Sequence, residues 1–247
     1  MRRRPFRIGV VALVLALGPA WAWGGRPLDT EDTGTVEPGK AELELSGDYI
    51  RGLQLDAGLF KGVLSVGVLP GFEARIESAV LLLAPEERPT RAGVTDTLLG
   101  FKYRLLDEAD TAPAVLAGLT VLVPTGDERR GLGADEVAVG LVAVGSKTFG
   151  PVTLTGNLGY TFVTPDRELD FWTLAASLEY RVRKAWILVG EVVSAVGADR
   201  APDLAVLRAG AIYVVGDRLK LDGAVGVGLT RRSPDVLVTV GLTISLF

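Results

Sequence analysis

The chain has 247 residues, 48% of them hydrophobic, and a formal net charge of −4. It contains neither histidine nor cysteine, which excludes Ser-His-Asp and Cys-His catalysis, disulfide bonds and thiolate metal sites. We therefore expect no metal and no cofactor. The acidic balance, without a basic patch, also argues against a nucleic acid partner.

The first 22 residues have the pattern of a cleavable export signal. Four arginines lie among the first seven residues, residues 8–17 form an apolar core, and Ala20-Trp21-Ala22 fits the small-x-small cleavage rule. An apolar run of ten residues is too short to span a bilayer as a helix. We predict a signal peptide over residues 1–22, with a retained N-terminal anchor as the alternative.

A polar lead segment follows at residues 23–39 and ends at a turn-forming Pro-Gly pair. Its acidic residues are Asp29, Glu31, Asp32 and Glu37. We expect this segment in the periplasm, ahead of the first strand. The sequence leaves open whether it is an extension or a partial plug of the structure that follows.

From residue 40 to residue 247, polar and apolar side chains alternate in segments of about a dozen residues. In the first segment, Glu42, Glu44, Ser46 and Asp48 share one face of an extended strand, and apolar side chains share the other. Twelve such strands are predicted, at residues 41–51, 59–69, 72–83, 96–106, 114–123, 135–148, 152–162, 172–182, 185–195, 204–215, 219–230 and 236–247.

The predicted connections alternate in length, as they do in outer-membrane barrels with short periplasmic turns and longer surface loops. Short connections fall at residues 70–71, 150–151, 183–184 and 216–217. Longer, charged ones fall at residues 84–94, 124–134, 163–170 and 197–203. Residues 107–111 form a turn of middling length. The order predicts an all-β protein, a single antiparallel transmembrane β-barrel of twelve strands over residues 40–247.

A soluble β-sandwich or lipocalin-like barrel also has alternating strands, but with its apolar face inward. The long strands, the 31 glycines and the C-terminal Phe247 favour the membrane barrel. In that barrel the apolar face contacts lipid and the polar face lines the lumen. The expected partners are outer-membrane lipid, a small-molecule solute and the barrel-assembly machinery that inserts the protein.

Charged residues on the polar face are the candidate lumen-lining groups. The acids are Glu42, Glu44, Asp48, Glu73, Glu77, Glu136, Glu179, Glu191 and Asp222. The bases are Lys61, Arg75, Lys102, Arg104, Arg181, Arg208 and Lys220. They form either a salt-bridge network that fills and stiffens the barrel or a charged path for a solute. Because the charges nearly balance, strong ion selectivity is not expected.

One subset is expected to cluster and either line or block a pore. Its members are Glu73, Arg75, Glu77, Lys102, Arg104, Glu179 and Arg181.

Three sequence motifs carry a family resemblance. They are RPLDTEDTGTVEPGK at residues 26–40, GFKYRLL at residues 100–106 before an acidic turn, and PTGD at residues 124–127 followed by GLG at residues 131–133. They resemble the outer-membrane β-barrel transporter family of the phenol meta-pathway degradation type. The resemblance implies a barrel linked to uptake of small, often aromatic, compounds.

The expected function is passive passage of small molecules, hydrophobic or aromatic ones among them, without enzymatic chemistry. One alternative is a structural or plugged outer-membrane barrel without transport. The other is an enzyme that uses carboxylates at the barrel rim, such as Asp166, Glu168 and Asp170, on a lipid or glycan. A solvated loop explains these three acids better.

Overall fold

The computed structural model describes residues 25–52, 55–85, 89–134, 136–197 and 203–247. The predicted signal peptide lies outside these residues. Within them, almost every long segment is a β-strand, and the two 3₁₀ helices, Glu128–Arg130 and Arg167–Leu169, have three residues each. No helix in the described ranges is long and apolar enough to cross a bilayer.

The strands form one antiparallel sheet in which β1 pairs with β13 and β2 pairs with both β1 and β3, so the sheet closes into a barrel. The strands are β1 (Ala41–Gly52), β2 (Leu55–Leu69), β3 (Phe72–Pro85), β4 (Arg91–Val94), β5 (Thr97–Leu106), β6 (Ala114–Val123), β7 (Val137–Phe149), β8 (Val152–Thr164), β9 (Phe171–Arg183), β10 (Trp186–Gly197), β11 (Leu204–Val214), β12 (Leu219–Gly228) and β13 (Val236–Ser245). Closure pairs every strand except the short β4 with a neighbour on both sides, which satisfies the backbone as the bilayer interior requires.

The predicted twelve-stranded barrel is confirmed, with one strand broken in two. Both β4 and β5 pair with β3, β4 near its end and β5 near its start. Thr95 and Asp96 lie between them, and the backbone N–H of Thr95 still donates to the carbonyl of Ala79 at 2.9 Å. The prediction of a loop throughout residues 84–94 is therefore wrong, because residues 91–94 extend the wall.

The two ends of the barrel differ in their connections. We call one the turn end, where residues 70–71, 107–113, 150–151, 184–185 and 215–218 join the strands, and the other the loop end. In outer-membrane barrels the short turns face the periplasm. Exposed aromatic side chains lie near both ends: Trp172 is the second residue of β9, at the loop end, and Trp186 begins β10 at the turn end. Such rings are typical of the two membrane interfaces.

The apolar face of the strands points away from the barrel axis. Leu141 on β7, Leu158 on β8 and Leu174 on β9 are each about half exposed, whereas inward residues such as Thr120 and Glu191 are buried. A soluble barrel would have the opposite arrangement. The outer surface is therefore suited to acyl chains, and the soluble alternative is excluded.

The loop-end connection at residues 165–170 is organised by Asp170, which is 2% exposed. Its carboxylate accepts hydrogen bonds from the backbone of Val163 at 2.7 Å, from Arg167 at 2.7 Å and from the hydroxyl of Tyr160 at 3.0 Å. Burial alone would raise the pKa of Asp170, but these donors outweigh it and hold the pKa below its usual range. Asp170 thus closes the loop, which leaves it unsuited to rim catalysis.

A charge placed on the outer face should destabilise the barrel according to its depth. Leu158→Arg, in the middle of β8, should lower the free energy of unfolding by about 2–4 kcal/mol, because it puts a guanidinium among acyl chains. Thr164→Arg, on the same face at the end of the strand, is the control and should cost less than about 1 kcal/mol. Urea unfolding in lipid vesicles, followed by tryptophan fluorescence, measures both. Equal effects would show that this face does not contact lipid.

Replacing Asp170 by asparagine should open the connection at residues 165–170. We expect a loss of about 1.5–3 kcal/mol at neutral pH, because hydrogen bonds to a buried carboxylate are lost. Since the folded pKa of Asp170 is lowered, its contribution is present above the unfolded pKa and disappears as the pH falls through the folded value. Wild type and Asp170→Asn should therefore converge in strongly acidic buffer, as measured by unfolding at several pH values. A constant difference would contradict this assignment.

Candidate functional site: an occupied lumen

Residues 25–37 of the lead segment lie inside the barrel. The segment enters at the turn end, where the backbone N–H of Gly39 donates to the carbonyl of Gly67 at 2.9 Å and Pro38 forms a bridge with Gly67. A side chain at residue 67 would collide with the carbonyl of Glu37, so the segment can pass only beside a glycine. Farther in, the N–H of Val36 donates to Glu73 at 2.9 Å. We call residues 25–37 the plug.

The first anchor of the plug is Glu31, which is 1% exposed. Its carboxylate contacts Lys102 at 2.7 Å and Arg75 at 3.2 Å, on β5 and β3. From the other side, Asn157 of β8 accepts from the N–H of Glu31 at 2.7 Å and donates to its carbonyl at 2.9 Å. Glu31 therefore bridges distant parts of the wall.

The second anchor is on the wall, at Glu191 of β10. Its carboxylate accepts from the backbone N–H groups of Asp29 and Thr30 at 2.8–3.0 Å and from the hydroxyl of Thr30 at 2.7 Å. Arg208 of β11 lies 3.2 Å from Glu191 and 2.7 Å from the carboxylate of Asp29. It also donates to the carbonyl of Pro27 at 3.3 Å. Wall and plug thus share one charge network.

The third anchor is Arg26, whose guanidinium contacts Asp222 of β12 at 2.8 Å and donates to Thr239 of β13 at 3.1 Å. A side chain at Gly241 would collide with this guanidinium. The two partners are almost fully buried, with side-chain exposures of 8% for Arg26 and 2% for Asp222. Between the second and third anchors, Leu28 packs in a small apolar cluster with Ile187, Val189 and Ile212.

These contacts decide between the two roles left open for the lead segment. Residues 25–37 contact β3, β5, β8 and β10–β13, which surround the lumen. A segment that touches so many sides of the wall occupies the interior. Sequence reasoning noted Asp29 and Glu31 but missed them, together with Arg26, as site residues. The sequence pattern that could have indicated Asp29 and Glu31 is an acidic segment directly before a barrel whose inner face carries bases.

The structure distributes all but one of the predicted lumen residues over three levels. Those that contact the plug are Glu73, Arg75, Lys102, Glu191, Arg208 and Asp222. Those that line a cavity above the plug, toward the loop end, are Glu44, Asp48, Lys61 and Glu77. Those near the turn end are Glu42, Arg104, Glu179, Arg181 and Lys220. Glu136 lies just before β7 in a loop-end connection.

The expected cluster of seven charges is not one cluster. Glu73 and Lys102 face each other across β3 and β5. Glu179 and Arg181, however, lie on β9, which borders β8 and β10 instead. Arg104 points toward the turn end, where it pairs with Asp107 at 2.9 Å. Pairing within the wall therefore accounts for only part of the charge, and the plug supplies partners for Arg75 and Lys102.

The loop-end half of the lumen is apolar, which corrects the prediction of a polar interior. One inward cluster contains Leu98, Leu122, Ala138, Val163, Leu169, Phe171, Ala195 and Leu204. A second contains Ile50, Ala57, Leu81, Leu83, Leu132 and Leu237. Two connections contribute to these clusters, since Leu132 and Leu169 lie between strands. The lumen thus changes from charged to apolar along its axis.

The connection at residues 124–134 folds into the barrel mouth rather than into solvent. Asp96, at the break between β4 and β5, accepts from the backbone N–H groups of Gly126 at 2.8 Å and Ala134 at 2.7 Å. This holds Leu132, which is 2% exposed, over the lumen. A cavity of about 100 Å³ lies between Leu132 and the plug.

The closed antiparallel wall, its lipid-facing apolar surface and its filled lumen define an outer-membrane β-barrel. Residues 24–246 match the family described as "Putative MetA-pathway of phenol degradation". The chain belongs to this family, which confirms the resemblance seen in its motifs.

Solved structures of outer-membrane proteins share the fold. An outer membrane channel from Pseudomonas putida F1 has a TM-score of 0.71 and 13% identity, over 89% of this chain and 100% of that one. The NanC porin has a TM-score of 0.62 and 10% identity, over 83% and 100%. The KdgM porin in complex with disordered oligogalacturonate has a TM-score of 0.59 and 12% identity, over 83% and 99%. No curated protein matches the chain.

Reversing the charge of Lys102 should release the plug, because Glu31 would then face a buried carboxylate at a cost of about 3 kcal/mol or more. Since the chain has no cysteine, Thr33→Cys, at a buried plug position, gives a single reporter for maleimide labelling. Labelling should be slow in the Thr33→Cys protein and much faster when Lys102→Glu is added. Arg104→Glu, two residues along the same strand and without a plug contact, is the matched control and should leave the rate unchanged.

Exchanging the charges, with Glu31→Lys combined with Lys102→Glu, should slow the labelling again. Fast labelling in all four proteins, including the one that carries only Thr33→Cys, would show that residues 25–37 do not stay in the lumen.

Proposed function

We propose that this protein lets small, largely apolar molecules cross the outer membrane passively, with the plug as a gate. In this proposal residues 1–22 are a cleaved signal that exports the chain, and the barrel-assembly machinery inserts it. The export pattern of the sequence and the barrel fold support this route.

The observation that carries the proposal is the change from apolar to charged lining along the lumen. An ion or a sugar that enters at the loop end would lose water without finding polar partners, which is costly. A small apolar molecule would instead gain contacts with Leu98, Leu122 and Leu132. The lining therefore favours apolar solutes over ions at the first step of passage.

The family description and the similar structures support the same class of function. The description names phenol degradation, and phenol is a small molecule with an apolar ring. The similar structures are called a channel and porins. We propose aromatic compounds of this size as solutes.

Passage requires the plug to move. Glu31, Glu191 and Arg26 hold it mainly through charged and polar contacts, and water can replace such contacts when the segment shifts toward the turn end. The resting state is therefore closed to ions. The same plug also supports the second candidate, a sealed barrel without transport.

Conductance and uptake separate the two candidates. In planar bilayers the wild-type protein should conduct little, and Lys102→Glu, or deletion of residues 25–37, should raise conductance several-fold, because the segment that fills the charged half of the lumen is then displaced. Arg104→Glu should behave like wild type. Uptake of radiolabelled phenol into vesicles with a lipopolysaccharide outer leaflet should exceed that of protein-free vesicles. If neither the wild-type protein nor the plug-released variants increase phenol uptake, the barrel is structural.

A further inference from the structure

The cavity between the plug and Leu132 has two chemically different sides. Toward the loop end it is lined by apolar side chains: Ile50, Leu59, Leu81, Leu98, Leu122 and Leu132. Toward the plug it is lined by charged groups. At about 100 Å³ it approaches the size of an engineered apolar cavity of about 150 Å³ that binds benzene. The cavity as a whole is therefore close to the size of one small ring.

Most bases at the charged side are already neutralised. Arg26 is paired with Asp222, Arg75 with Glu31, and Arg208 with both Asp29 and Glu191. Their carboxylate partners belong to the plug or to the wall beside it. The positive charges of these arginines are therefore balanced by their carboxylate partners.

The carboxylates at the charged side have fewer hydrogen bonds and ion pairs than the arginines. Glu44 makes no hydrogen bond or ion pair among the described residues, although it lies on the inner wall and lines the cavity. Glu77 has Lys61 at 4.0 Å, and Asp48 accepts from Ser46 at 3.3 Å. Apart from the arginines that are already paired, Lys61 is the cation beside these three carboxylates among the described cavity residues. Glu44 is thus an acceptor without a partner in the cavity wall, so the ligand should bring a donor.

We propose that this cavity is a binding site for a single-ring molecule with a hydrogen-bond donor, a hydroxyl or an ammonium group, and that Glu44 accepts from that group. The ring lies against the leucines and the polar group points to β1. A ring with a carboxylate is rejected, because it would face Glu44, Asp48 and Glu77 without a free base. This inference rests on the proposed function and adds the chemistry that selects the solute.

Four ligands of similar size test the site: benzylamine, phenol, toluene and benzoate. Binding to the full barrel in nanodiscs, measured by ligand-observed NMR against empty nanodiscs, should be strongest for benzylamine, then phenol, then toluene, with none for benzoate. Benzoate binding as strong as phenol binding would overturn the proposal. Equal binding of all four would show a cavity without selection by Glu44, which also overturns it.

Glu44→Gln keeps the shape of the side chain and removes the charge. It should weaken benzylamine binding about tenfold or more, the scale of a hydrogen bond to a charged group, and leave toluene unchanged. Glu42→Gln is the matched control on the same face of β1, since Glu42 lies near the turn end and does not line the cavity. Benzylamine binding that does not respond to Glu44→Gln would place the donor elsewhere and overturn the assignment.

The nanodisc measurement reads binding alone, so it is independent of passage. Selective binding together with no uptake into vesicles would leave the site intact and refute the proposed transport. Uptake into vesicles without selective binding would refute the site and leave the proposed transport intact.

Discussion

The carboxylate of Glu31 lies between Lys102 and Arg75, and this contact determines how the interior is arranged. Two cations on adjacent parts of the wall would repel each other in a space with little water, so they need a shared anion. The wall itself offers Glu73 nearby, but its carboxylate accepts from the plug backbone. The anion therefore comes from the chain's own N-terminal segment, and the position of that segment sets the floor of the cavity above it.

The lumen is apolar toward the loop end and charged where the plug lies, and the two parts have different roles in the proposed function. In the proposed function, apolar side chains at the loop end receive a hydrophobic solute, and the paired charges of wall and plug keep ions from following. Eight strands leave little room beyond side chains, and sixteen leave a channel. Twelve leave room for one extra peptide segment, and here that segment is the plug. Gating can then come from a few hydrogen bonds rather than from a change in the wall.

Alternation of side chains was enough to predict the barrel, because each strand shows lipid one face and the lumen the other. The strand at residues 114–123 was predicted despite apolar residues on both faces, and the structure explains them: Leu116 and Leu122 point into the lumen. Periodicity shows which residues share a face, but not what fills the lumen. The plug, the inward fold of Leu132 and the role of Asp96 depend on contacts far apart in sequence, so no local pattern could reveal them.

The close approach of the plug to Gly67 and Gly241 has a consequence for how this barrel can change. A side chain at residue 67 would meet the plug backbone, and one at residue 241 would meet the guanidinium of Arg26. A wall with larger residues at these two positions therefore needs a different course of the N-terminal segment. Chimeras and directed evolution of this scaffold must treat the wall and its internal peptide as one inherited unit.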